Sequence, residues 1–322
     1  MQRRQLLAGL AATAAATATP WASAQSEQPI RWIVPYPAGG GTDVLARTMA
    51  EAMRGAMGQQ ILIDNRPGAA TNIGAELVAR AKPDGLTLMS ADNAVLAFNE
   101  HLFSKLPYNP EKDFTYVGGL TRFALALVVN PAFEAKTVRE FIAYAKANPG
   151  KLNYASPGNG SPHHLAMEMF KVRTGTFITH IPYRGAAPAV QDVMGGQVPC
   201  MFLDLAAGLP LIQSGKVRAL AIGAPKRFAS LPSVPTLAEA GVPDTEVFAF
   251  QGVLAPAGLP AAQLQRLNGE INKALASPTV QKRMADFGME SIGGTPEQFH
   301  AMARAESQRW GRIIKAANVK LD

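Results

Sequence analysis

Two short stretches of this 322-residue chain combine residue types that can hold an anion without a charged side chain. The first, residues 31–47, reads RWIVPYPAGGGTDVLAR. Trp32, Ile33 and Val34 favour a strand, and Pro35 and Pro37 break it. Ala38, Gly39, Gly40 and Gly41 form a loop with almost no side chains. Thr42 and Asp43 are N-cap residue types, and Val44, Leu45, Met49 and Met53 recur at helical spacing. Strand, glycine loop and helix start expose backbone N–H groups beside the positive end of a helix dipole. Phosphate, sulfate or carboxylate is accepted at such a place. Taken alone, the same residues also describe a tight turn that binds nothing.

The second stretch, residues 152–170, reads LNYASPGNGSPHHLAMEMF. Its strand ends near Ser156, and Pro157, Gly158, Asn159 and Gly160 form the loop. Ser161 is placed to cap, Pro162 suits the first helical position, and Leu165, Met169 and Phe170 form an apolar stripe. Two such devices in one chain point to two lobes, each aiming a helix N-terminus at a shared cleft.

Other chemistries fit less well. Ser161 and His164 could serve an exported serine hydrolase, but a G-x-S-x-G elbow would need glycine at position 163. A serine and a histidine two or three residues apart at a helix start lack the usual geometry for proton abstraction. A capping Ser161 with His164 lining the cleft is the preferred reading, and no enzyme is expected. His101, His163, His164, His180 and His300 are dispersed, and adjacent histidines diverge on a helix, so no metal site is expected. PAGGGTD lacks both the GK[ST] ending and the GxGxxG spacing, so neither nucleotide nor any other cofactor is expected.

The elements that must position these groups can be read in order. A strand over 61–63 leads to a turn-rich loop and a helix capped by Thr71 or Asn72, with Ile73, Leu77 and Val78 on its buried face. A third strand over 86–89 is followed by Ser90, Ala91, Asp92 and Asn93, which either line the cleft or cap a helix. These strand ends share one edge of a parallel sheet, where open α/β sheets bind ligands. Residues 114–130 are one apolar run, too long for an ordinary strand, and predict a crossing from one lobe to the next. Helices follow over 137–147 and 161–174, then a strand over 177–181 ending at Tyr183, Arg184 and Gly185. Arg184 is either half of a bidentate carboxylate pair or a solvated cation. After a helix over 186–195 and a strand over 200–203, Asp204 either meets a ligand amine or hydroxyl or caps the next helix. A strand over 217–222 and a short helix over 236–240 precede a second apolar run over 247–255, the predicted return crossing. Helices over 260–276, 278–287 and 296–317 close the chain on the first lobe.

Composition supports a globular protein, and the N-terminus predicts export. Arg3 and Arg4, an apolar run over 6–18 and Ala22-Ser23-Ala24 form a signal peptide over 1–24, by the twin-arginine or the general route, so a periplasmic location is expected. The net charge of +7 falls to 7 − 2 = +5 without those two arginines. The basic residues are scattered, which argues against nucleic acid and suits a small anion. The single cysteine, Cys200, excludes an internal disulfide.

Together and in this order, IVPYPAGGGTDVLAR, NRPGAATNIGAELVARAKPDGLTLM, NYASPGNGSPHHLAMEMF, IPYRGAAPAVQDVMGGQV and APKRFASLPSVPTLAEAGVP resemble a known family. It is the periplasmic solute receptors of tripartite tricarboxylate transporters, the Bug receptors of Bordetella and related bacteria. The resemblance implies a type II periplasmic-binding-protein fold, an α/β architecture of two lobes joined by two crossing strands with the ligand cleft between. Lobe 1 is then residues 25–123 with 249–322, and lobe 2 is 124–248. It implies a monomer that holds a small carboxylate mainly through backbone groups. Contacts are expected at Tyr36, Ala38, Gly39 and Thr42 in lobe 1 and at Gly158, Gly160 and Ser161 in lobe 2. Asn72, Asp92, His164, Tyr183, Arg184, Gly185 and Asp204 complete the expected pocket. The implied partners are membrane subunits of a tripartite tricarboxylate transporter. Two positions depart from the family pattern. Asn159 stands where threonine is frequent, and Leu203 separates Met-Phe from Asp204. A one-residue shift turns a strand side chain to the other face. That disfavours an amino-acid substrate and favours a di- or tricarboxylate or an aromatic acid.

Overall fold

The apolar run after residue 113 folds as one strand, β4 (Phe114–Val129), 16 residues long and buried almost throughout. The computed structural model describes residues 28–39, 41–286 and 288–322, so the predicted signal peptide lies outside the described residues. β4 exceeds the usual length of about five or six residues because its two halves belong to different sheets. As far as Ala124 it pairs antiparallel with β9 (Phe248–Pro256) on one side and β10 (Glu290–Gly293) on the other. From Leu125 it pairs with β7 (Cys200–Asp204) and β8 (Arg218–Ile222).

The first sheet runs β2 (Ile61–Asn65), β1 (Ile30–Val34), β3 (Thr87–Asp92), β9, β4, β10, with β1 parallel to β2 and β3. The second runs β6 (Thr179–Pro182), β5 (Asn153–Ser156), β7, β4, β8, with β5 parallel to β6 and β7. Both sheets are therefore mixed. They are parallel where helices make the crossovers and antiparallel where β4 and β9 pass through. The return strand is tied to the second sheet before it enters the first. Leu125 N donates to Val247 O at 3.1 Å, and Val247 N donates to Gly223 O at 2.8 Å.

Helix amphipathicity places the layers. α1 (Gly41–Met57) lays Leu45, Met49 and Met53 on Trp32, Val34 and Val253. On the other face of the first sheet, α2 (Asn72–Ala79) packs with Ile33 and Met89. A π-turn over Ala94–Phe98 and α3 (Asn99–Leu102) follow β3. This second core continues through Leu125, Leu127 and Val129 to α4 (Val138–Ala147) and α5 (Pro162–Thr174). A third core lies under α6 (Ala186–Met194) and α7 (Leu205–Gln213). α8 (Ala261–Ala276) and α9 (Pro278–Asp286) join the α1 face. α10 (Pro296–Ala317) starts from a Thr295–Gln298 capping box and buries Phe299, Trp310 and Ile314 in the continuous core. Trp32 Nε1 donates to Ser90 Oγ at 2.9 Å, and Trp310 meets Phe98 edge-on at 5.1 Å.

Several expectations are corrected. Residues 236–240 form a single turn, closed by reciprocal bonds between Thr236 and Glu239, and no helix propagates from it. Ile73 is half exposed, because α2 begins at Asn72 and turns Ala75 inward in its place, while Val78 is buried as expected. β10 and α3 escaped the sequence reading. Glu290 and Ser291 are exposed, so β10 has no apolar alternation to betray it. α10 also reaches further than predicted, since it packs on α5 beside the second sheet as well as on the first lobe.

Candidate functional site

The first glycine loop leaves the C-terminal end of β1, with Pro37, Ala38 and Gly39 exposed. Gly39 has φ 85°, a left-handed conformation that glycine adopts without steric cost. Its N–H donates to Asp43 Oδ2 at 2.9 Å. Asp43 also accepts from Arg47 at 3.0 and 2.9 Å and from Asn65 Nδ2 at 3.0 Å. Burial alone would raise the Asp43 carboxyl, but these donors prevail and hold it below the ordinary range. Thr42 and Asp43, expected as caps, are the second and third residues of α1, and the Asp43 carboxylate reaches back to brace the loop.

Behind this loop the structure gathers a row of polar groups. Tyr36 Oη donates to Asp92 Oδ2 at 2.5 Å, and Asp92 Oδ1 accepts from Ala94 N at 3.1 Å. Burial pushes the Asp92 carboxyl up against the opposing pull of Tyr36, and burial likewise pushes up the Tyr36 phenol. Asp92 lies directly opposite Gln251 in the β3–β9 register, so their side chains share a face. Gln251 Nε2 donates to Thr42 Oγ1 at 3.0 Å. Tyr36, Thr42 and Asp92 are thus brought together, joined by Gln251, which sequence reasoning missed. The signal was present: Gln251 is the one polar side chain in VFAFQGVLA.

The second loop is braced from beneath by histidines. Ser161 caps α5: its Oγ accepts from His164 N at 3.2 Å and donates to Gly158 O at 2.8 Å. Gly160 has φ 74°, and its N–H donates to His164 Nδ1 at 3.1 Å. The His164 ring stacks on His180 with centroids 4.1 Å apart, and His180 stacks on Tyr154 at 4.7 Å. His180 Nε2 is 2.6 Å from Ser156 Oγ, which in turn meets Gly158 N and O at 3.1 Å. Burial depresses His164 to about 4 and His180 to about 3, so both rings are neutral at neutral pH. The Ser161 hydroxyl is engaged by Gly158 O and His164 N, and His164 Nδ1 by Gly160 N. The serine-to-imidazole proton path of a hydrolase is not assembled.

Residues 183–185 attach to this loop. Tyr183 N donates to Ser156 O at 2.9 Å and Gly185 N to Pro157 O at 3.0 Å. Tyr183 Oη donates to Asp192 at 2.6 Å. Arg184 is exposed and has no acid partner among the described residues. Asp204 caps α7, accepting from Ala207 N at 2.7 Å, and lies 3.2 Å from His163 Nε2. Its burial is outweighed chiefly by His163, so the carboxyl stays below its ordinary range. Asn72 belongs to a third hydrogen-bonded cluster, whose Tyr108 lies near enough to Asp92 to feel its charge. Asn72 Oδ1 accepts from Asn99 Nδ2 at 2.8 Å and Tyr108 Oη at 3.0 Å. Asn99 also holds Ala70 O at 2.9 Å, in a turn where Ala69, Ala70 and Thr71 have φ 46°, 49° and 76°. Three consecutive non-glycine residues in that region store backbone strain. Among the described residues no group of three or more His, Cys, Asp or Glu could hold a metal. A cavity of about 810 Å³ lies away from both loops, between α5, residues 237–246 and α10.

Over residues 45–319 the sequence matches the family described as tripartite tricarboxylate transporter family receptor. The chain belongs to that family. The receptor is 37% identical to BugT of Bordetella pertussis over 311 residues, covering 96% of this chain and 95% of BugT. It is 34% identical to an R. palustris protein solved with adipate, with a TM-score of 0.85 and coverage of 92% of this chain and 99% of that one. It is 33% identical to MatC from Rhodopseudomonas palustris, solved with bound malate, at a TM-score of 0.83 and coverage of 89% and 99%. The two-lobe fold with its mixed, curled sheet is that of the periplasmic binding proteins, and the family's members are solute receptors, not enzymes.

Proposed function

We propose that this receptor captures a small carboxylate, a di- or tricarboxylate or an aromatic acid, in a cleft between its lobes. It delivers the anion to membrane subunits of a tripartite tricarboxylate transporter. The observation that carries this reading is the pair of strand–glycine loop–helix junctions, one on each sheet, at Ala38 to Thr42 and Gly158 to Ser161. The adipate and malate found in the two relatives support it. Helix ends offer fixed dipoles to an anion that gives up its water on closure. Tyr36, Asn72, Asp92, His164, Tyr183, Arg184, Gly185 and Asp204 frame the site, several of them by bracing the loops. Lobe 1 is residues 25–123 with 249–322 and lobe 2 is 124–248. The change of partners at Ala124 and Leu125 of β4 supports that division. The motion is hinge closure. Residues 1–24 direct export to the periplasm, and the receptor acts as a monomer.

A thermal-shift screen of refolded, ligand-stripped protein tests this. The panel holds citrate, succinate, adipate, nicotinate, benzoate and their neutral amides. A ligand at about 100 times its Kd adds about 2.7 kcal/mol, a rise of several degrees in Tm. The acid responds and its amide does not. A response to a neutral solute with none to any carboxylate would refute the anion site.

A further inference from the structure

Gln251 is buried, only 5% exposed, yet its Oε1 has no hydrogen-bond partner among the described residues. Its Nε2 is fixed on Thr42 Oγ1 in the first turn of α1. The side chain therefore lies across the N-terminus of α1 and presents a bare carbonyl there. The polar side chains beside it are engaged elsewhere. Tyr36 Oη donates to Asp92, whose second oxygen accepts from Ala94 N. Thr121, also opposite Gln251 across β9, donates its hydroxyl to Glu290 O. A buried acceptor left without a donor is costly, and native proteins retain one where something else supplies the donor. The bare Oε1 therefore makes this end of the site call for a donor.

Resting on the carboxylate reading above, we infer that Gln251 is a specificity-determining residue, and that the receptor's substrates carry a hydrogen-bond donor beside the carboxylates. The donor, a hydroxyl or an ammonium, meets Gln251 Oε1 while a carboxylate lies at the glycine loops. Unsubstituted acids of the same length leave Oε1 unpaired and bind more weakly.

The matched set succinate, L-malate and L-aspartate tests this, since the three differ at one carbon by hydrogen, hydroxyl and ammonium. Calorimetric titration of the ligand-stripped full chain is expected to give at least about tenfold tighter binding for malate or aspartate than for succinate. Whichever of the two is tighter names the donor. In Gln251→Met the preference collapses to within about twofold. Gln251→Glu keeps an acceptor at the same place and adds a charge. It binds malate and succinate more weakly and shifts the preference toward the ammonium of aspartate, so it serves if the methionine variant does not fold, and an unchanged aspartate-to-malate ratio in it overturns the inference. A preference that survives in Gln251→Met, or a wild type that favours succinate, overturns the inference while the carboxylate reading stands. A wild type that binds adipate or benzoate but none of the three has the same meaning. No binding of any carboxylate removes the carboxylate reading, and this inference with it.

Discussion

His164 and His180 have folded-state pKa values of about 4 and about 3, well under the ordinary histidine value of about 6.5. Burial is the main cause in both. The folded protein therefore holds these rings neutral while the unfolded chain protonates them from about pH 6.5 downward. Their contribution to stability is complete above that pH and is lost as the pH falls toward the folded values. Between pH 7 and pH 5 the loss should be about 1–2 kcal/mol for the buried His164 and no more than that for the partly buried His180. Urea midpoints at the two pH values measure it. His180→Gln should lose its share of the slope, and an unchanged pH dependence in that variant would contradict the assignment. Ser161→Ala probes the cap directly above. It should cost about 1 kcal/mol, a Tm decrease of about 2–4 °C, and should weaken carboxylate binding. The capping role of Ser161 was legible from S-P-H-H following glycine. The ring stack was not, because Tyr154, His164 and His180 come from three elements and meet only when β5, α5 and β6 pack.

Among the elements, the crossing strands were the most legible part of the fold. A continuous apolar run means burial on both faces, and β4 and β9 are buried on both faces because each is flanked by strands and covered by helices. The glycines inside them had no visible role in the sequence. Gly252 acquires one from α10: a Cβ there would lie 2.1 Å from Phe299 Cζ. Gly252→Ala should therefore destabilise by about 1–3 kcal/mol or more, the usual cost of overpacking. The double variant Gly252→Ala with Phe299→Leu should recover part of it, and a double-mutant cycle by chemical denaturation gives the coupling. Additive effects would mean that the two residues do not share that space. The same geometry explains what stayed hidden at the site. Gln251 meets Thr42 across 209 positions of sequence, and Tyr36 meets Asp92 across 56. Local pattern locates the loops but cannot report which distant strand supplies their polar lining.

At the scale of the molecule, the first sheet is assembled from two distant stretches of chain, with the whole second sheet inserted between them. β3 and the first half of β4 become neighbours only through β9, which is made last but one among the strands. A chain ending before residue 248 would leave both strand edges bare and the core around Met89 and Phe98 uncovered by α10. Such a fragment should aggregate and show no cooperative thermal transition by circular dichroism. A monomeric, cooperatively melting fragment would show that the first lobe does not depend on its return strand.

The two buried tryptophans among the described residues have a practical corollary. Trp32 bonds to Ser90 within the first sheet, and Trp310 rides on α10 against Phe98. Among the described residues of the second sheet and its helices α4 to α7 there is no indole, only tyrosines such as Tyr154 and Tyr183. In a chain from which the predicted signal peptide with Trp21 has been removed, intrinsic emission excited at the red edge is thus weighted toward the first sheet and α10. Laid over the far-ultraviolet signal, which counts both halves, it can distinguish a receptor that melts as one unit from one that comes apart in two steps. No label has to be introduced to see the difference.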